Sequence, residues 1–99
     1  MIPTFVIPQA LYAGVADVAG NAATTAAVVS GGAPAIVAPP PAGADEASAL
    51  ATVNTTAHSA NFLATAANAV LELGRHAAQL GATGLLYEAT DAANAAAVL

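Results

Sequence analysis

The larger apolar residues of the first third of the chain recur in steps of three and four. Leu11, Val15, Val18, Ala22, Thr25 and Val29 stand 4, 3, 4, 3 and 4 residues apart. On a helix of about 3.6 residues per turn that spacing draws one seam, with Ala22 and Thr25 filling the places between larger side chains. Pro8 opens the segment, where a missing N–H costs nothing because the first helical amides have no partner in any case. Gly31, Gly32 and Pro34 weaken the far end, so the helix is predicted to stop between Ser30 and Val37. Helix one is therefore drawn at about 8–37.

The next stretch, "APPPAGAD", interrupts the periodicity. Pro39, Pro40 and Pro41 cannot continue an α-helix and favour an extended path, so a proline-rich turn is expected at about 38–44. Asp45 then takes the N-cap place, and Glu46 lies in the first turn of the following helix, facing the positive end of its dipole.

Helix two is expected over about 45–84, a stretch without proline. It carries two seams. One is Leu50, Val53, Ala57, Ala60, Ala64, Ala67, Leu71 and Gly74; the other is Phe62, Ala66, Ala69, Leu73, Ala77, Leu80, Gly84 and Tyr87. A helix with two apolar stripes needs two neighbours, and helix one can cover only one of them. The chain then reads as an all-α, antiparallel two-helix hairpin forming half of an elongated helical bundle that a partner chain completes. Leu11, Val15, Val18, Leu50, Val53, Phe62, Leu71 and Leu73 are the candidate interface residues. Which seam faces which neighbour is open at this level, because alanine fits either.

Composition sharpens this reading. Apolar residues make up 58% of the 99 residues and aromatic ones 4%, so the chain is rich in helix-forming alanine and poor in volume to fill a core. Only 7% of residues are charged, against about 25% in ordinary globular domains, so a bare surface would be poorly solvated. The net charge is −5 and Arg75 is the sole basic residue, which leaves nothing to neutralise nucleic-acid phosphates or an anionic membrane surface. Cysteine is absent, so disulfides and thiolate metal sites are excluded. The first residues, "MIPTFVIPQAL", lack a basic leader region and carry two prolines, so a secretory signal peptide is not expected. Val18 to Ala44 is free of charge and long enough to span a bilayer, but its glycines, prolines and alanines are poor drivers of insertion.

Candidate chemistry is thin. His58 and His76 lie five helical turns apart, about 27 Å, and cannot share a metal ion within one helix. Glu72 and His76 can meet only as a surface pair at i, i+4. Ser48 or Ser59, His58 and Asp45 name the members of a triad without its geometry, since Ser59 follows His58 directly and no nucleophile elbow or phosphate loop is present. No enzyme activity, cofactor, metal or small-molecule substrate is expected. One polar cluster stands out, Tyr87, Glu88 and Asp91 in "LLYEATDAANAAA". Tyr87 and Asp91 are four apart and share a helix side, so a receptor could bury the ring while pairing with the carboxylate.

With these residues in view, the chain resembles the mycobacterial PE family. The resemblance rests on "FVIP", "PQALYAGVADVAG", the turn "APAIVAPPPAGADEASAL", the long second helix and "YEATD", and covers essentially all 99 residues. Pro8-Gln9 stands where the family carries its eponymous Pro-Glu. The resemblance implies an obligate heterodimer with a PPE-family protein, whose Trp-x-Gly turn lies near the tail end of the bundle. It implies export through a type VII (ESX) secretion system, with Tyr87 and Asp91 as the Y-x-x-x-D signal in an export-signal segment at 85–99. It also implies a cytosolic chaperone that grips the partner, and a secreted or envelope-associated destination after a cytosolic stage. Many members carry long extensions, so a chain of this length looks like a stand-alone domain or a trimmed one. A membrane-active or membrane-inserted helical protein and a self-associating structural bundle are the alternatives. Lipid binding that persists beside a partner marks the first, and a discrete homo-oligomer marks the second.

Overall fold

The computed structural model describes residues 6–98. Its regular structure among those residues is two helices, α1 (Pro8–Val37, 30 residues) and α2 (Glu46–Ala97, 52 residues). The fold is all-α, a helical hairpin. The chain divides into two compact units, Met1–Ala22 with Glu72–Leu99, and Ala23–Leu71.

Within the first unit the helices run antiparallel. Tyr12 lies against Gly84 and Val15 against Gly81, so α2 recedes as α1 advances. The covered line on α1 is Leu11, Val15, Val18 and Ala22; on α2 it is Leu73, Ala77, Leu80 and Gly84. Both lines step by three and four, the period of a helical contact face. Gly84 has a specific reason to be glycine. A Cβ there would stand 2.7 Å from Tyr12 Cε1, a distance no side chain tolerates without moving the ring.

This corrects one sequence expectation. Helix two does not stop near Gly84 but continues to Ala97. Glycine costs a helix about 1 kcal/mol against alanine when it gains nothing in return. Here Gly81 and Gly84 face α1 at close range, and that packing offsets the loss. The alanines at 92, 93 and 95–97 then carry the helix on, as the best intrinsic helix formers.

In the second unit α1 ends and α2 begins. Pro34 lies inside α1. It removes the N–H that would reach the Ser30 carbonyl, but Ser30 is exposed, so water can take that place. The Ser30 hydroxyl donates to the Ala27 carbonyl at 3.1 Å. The helix reaches Val37, the far limit of the expected range. The prolines that follow run beside the first turns of α2. Pro39, Pro40 and Ala42 share a groove of about 410 Å³ with Ala47, Ser48, Ala51, Thr52 and Thr55.

Asp45 caps α2. Its Oδ2 accepts from the Ser48 backbone N–H at 3.0 Å and its Oδ1 from the Ser48 hydroxyl at 2.7 Å, while its carbonyl accepts from Ala49 N–H at 3.1 Å. The first of these bonds satisfies the Ser48 amide, which no helical carbonyl can reach. Gly43 makes room for them, because a Cβ on it would stand 2.8 Å from Asp45 Oδ1.

Large buried side chains are missing. The most buried apolar residues are Ala22 and Ala77, and among the described residues no side chain is completely buried. None of the described helices is long and apolar enough to cross a membrane.

Candidate functional site

α2 in the Ala23–Leu71 unit has two faces of opposite character. The covered line is Ser48, Thr52, Thr56, Ser59, Leu63, Ala66 and Val70, with Ser59 only 7% exposed. Four of those seven residues carry hydroxyls. Thr52 satisfies its own by donating to the Ser48 carbonyl at 3.0 Å. On the other side stand Leu50, Val53, Ala57, Ala60, Ala64, Ala67 and Leu71, all exposed. Leu50 is 61% exposed, Val53 63% and Leu71 60%. This exposed seam is wholly apolar, while Asn54, His58, Asn61, Thr65 and Asn68 put polar groups on the rest of the exposed surface. Covering one leucine or valine fully is worth about 1.5–3 kcal/mol, so the exposed face holds several such gains unrealised.

Phe62 is 54% exposed, although the periodicity aligned it with Leu73 and Ala77. The four remaining candidate interface residues, Leu11, Val15, Val18 and Leu73, are half-buried on the contact lines of the first unit. They pack within the chain. Their stripe is the one that α1 and α2 use for each other, whereas the seam from Leu50 to Leu71 has no neighbour among the described residues.

The polar tail cluster lies on α2 in the first unit. Tyr87, Glu88 and Asp91 are all exposed. Glu88 follows the buried Gly84 by four residues and Asp91 by seven, so both continue the line of the covered face to turns left uncovered among the described residues. The side of the Tyr87 ring adjoins a shallow depression of about 280 Å³ lined by Thr83, Leu86, Tyr87 and Thr90. The Thr83 hydroxyl is already committed to the Gln79 carbonyl at 2.9 Å.

One residue of this end was missed by the periodicity. Tyr12, from α1, has its ring over Gly84, and its hydroxyl is shut off from solvent without a hydrogen-bond partner among the described residues. Burial, and then the Glu88 carboxylate, push its phenol above the usual range. The missed signal was a pairing, an aromatic on one helix placed opposite a glycine on the other. Scoring apolar steps along one helix at a time cannot see it.

The described residues hold no group of three His, Asp or Glu side chains able to bind a metal ion. His58 and His76 are both exposed. Arg75 forms an exposed ion pair with Glu72, three residues back, which contributes little.

The arrangement defines a class: a helical hairpin that packs with few large side chains, shows an exposed apolar seam, and carries an exposed aromatic and carboxylate pair on its last turns. A family model described as PE family matches residues 4–94, and the chain belongs to that family. No curated protein and no solved structure matches it.

Proposed function

We propose that this chain is a non-catalytic subunit whose exposed α2 seam, marked by Leu50, Val53 and Leu71, docks a PPE-family protein in an obligate heterodimer. The observation that carries the proposal is the exposed apolar seam on α2. Leu50, Val53 and Leu71 face solvent along it, joined by four alanines, while four of the seven covered residues carry hydroxyls. A face of that kind is stabilised by a second helical surface, and the resulting assembly is a helical bundle. Membership of the PE family supports a partner of the PPE type.

Within the same proposal, Tyr87 and Asp91 form the Y-x-x-x-D signal for export through a mycobacterial type VII system. Both are exposed and one helical turn apart, which suits a receptor that buries a ring and pairs with a carboxylate. The pair is cytosolic before export, with a chaperone bound through the PPE chain, and secreted or envelope-associated afterwards.

Co-expression with a PPE-family protein tests the pairing. The expected result is one soluble complex at equal stoichiometry. Val53→Asp should remove the partner from it, because an unpaired carboxylate would be enclosed at the interface. A Val53→Asp chain that recovers the partner at wild-type yield would refute the docking face.

A further inference from the structure

Of the three polar tail residues, Glu88 stands one turn beyond Gly84 on the same side of α2, four residues on. That side is where the Tyr12 ring sits, against the space a Gly84 Cβ would take. The Tyr12 hydroxyl is closed to solvent and unpartnered among the described residues. A phenol O–H is a donor, and an ionised carboxylate is an acceptor with room for several bonds. A hydroxyl left in this state is costly, and the nearest remedy on the same helix face is Glu88. The rise of the Tyr12 phenol is consistent with this, since the Glu88 carboxylate acts on it after burial does.

We infer that Tyr12 and Glu88 form a latch: the phenol, seated over Gly84, donates its hydrogen to the Glu88 carboxylate after a turn of the Glu88 side chain, and so holds the turn of α2 that carries Tyr87 and Asp91 against α1. Glu88 is then a positioning residue of the hairpin and not part of what a receptor reads. Tyr12 and Gly84 are its necessary counterparts, the ring filling the notch that the missing Cβ leaves. The latch itself needs no export role for Tyr87 and Asp91; only its consequence for signal display rests on the reading proposed above.

Backbone amide exchange on the full chain, read at residues 85–91, tests the latch. Tyr12→Phe and Glu88→Ala should each lower protection there by about tenfold, the loss expected for one hydrogen bond to a charged group. The double variant should fall no further than either single one, because both remove the same bond. Gly84→Ala should also lower protection, by driving the ring from its seat, and a further Tyr12→Ala change should restore part of it. Tyr12→Phe is the mildest of these changes and keeps the ring, so its result stands even where Gly84→Ala fails to fold. Protection unchanged or raised in Tyr12→Phe, or strictly additive losses in the double variant, would overturn the latch. Normal export of a Tyr87→Ala/Asp91→Ala chain would remove the signal reading and leave this coupling untouched.

Discussion

The covered line and the exposed apolar seam of α2 between Ser48 and Leu71 share one backbone, yet they differ in what they present. The covered line begins with four hydroxyl residues and ends with Leu63, Ala66 and Val70, while the exposed seam is apolar throughout. Hydroxyls at Ser48, Thr52, Thr56 and Ser59 are short, and Thr52 returns its bond to its own helix, so this line suits close approach without needing a large apolar volume. The exposed seam keeps its large side chains at the ends, Leu50 and Val53 at one and Leu71 at the other, with four alanines between. A surface of that shape admits a second helix closely at its middle and grips it at its ends. The difference teaches that the hairpin's apolar material is not spent on its own core. Its most buried apolar residues, Ala22 and Ala77, are both small.

Substitutions can break this comparison from either side. The largest effect is expected at the covered face. Val70→Asp should cost about 3 kcal/mol, the range for an unpaired polar group forced into a packed site, and should lower helicity and pairing together. Circular dichroism of the variant checks it. On the exposed face, Leu71→Asp should leave the helicity of the free chain unchanged and weaken partner capture by roughly a hundredfold, the scale for a central interface residue. A binding titration against the PPE chain, run beside the same dichroism measurement, separates the two faces.

Farther along α2, Tyr87→Ala/Asp91→Ala should keep pairing at wild-type yield and abolish export. A blot of cell and medium fractions, probed for both chains, reads this directly. Loss of pairing instead would return Tyr87 to a packing role.

The smallest effect belongs to the cap. Asp45→Ala should lower the thermal midpoint of the assembled complex by roughly 4 °C, as the loss of an N-cap does in a small domain. Acid should act in the same direction. The Ser48 hydroxyl first, then backbone N–H groups, hold the Asp45 carboxyl below its usual range. A group depressed in the folded state contributes fully above the ordinary carboxylate range, and that contribution is lost as pH falls through the folded value. Asp45 is exposed, so the acid effect is small, and Asp45→Asn should remove most of it.

How legible this was in the sequence depended on which residues carried the signal. The start of α1 at Pro8 and the cap at Asp45 were readable, because proline and an N-cap aspartate act locally. The seam Leu11, Val15, Val18 and Ala22 was also readable, since valine and leucine mark a face clearly. Ala26, not Thr25, continues that line, a shift of one residue that alanine-rich sequence cannot resolve. The covered face of α2 was hidden for a different reason. Its first four members are serine and threonine, which an apolar count passes over. The far end of α2 was misjudged because the cost of Gly81 and Gly84 was weighed without Val15 and Tyr12, which lie on the other helix. The Tyr12–Gly84 contact itself depends on the register between helices, and no single-helix periodicity encodes register.

The outer face of α2 as the docking surface is the central claim, and the absence of native cysteine makes it directly measurable. Val53→Cys and Leu71→Cys, each the sole thiol of the chain, can be labelled with a soluble maleimide in the free chain and in the complex with the PPE-family protein. Both should react readily in the free chain and at least about tenfold more slowly in the complex, since docking removes their side chains from solvent. Equal labelling rates with and without the bound partner would contradict the account.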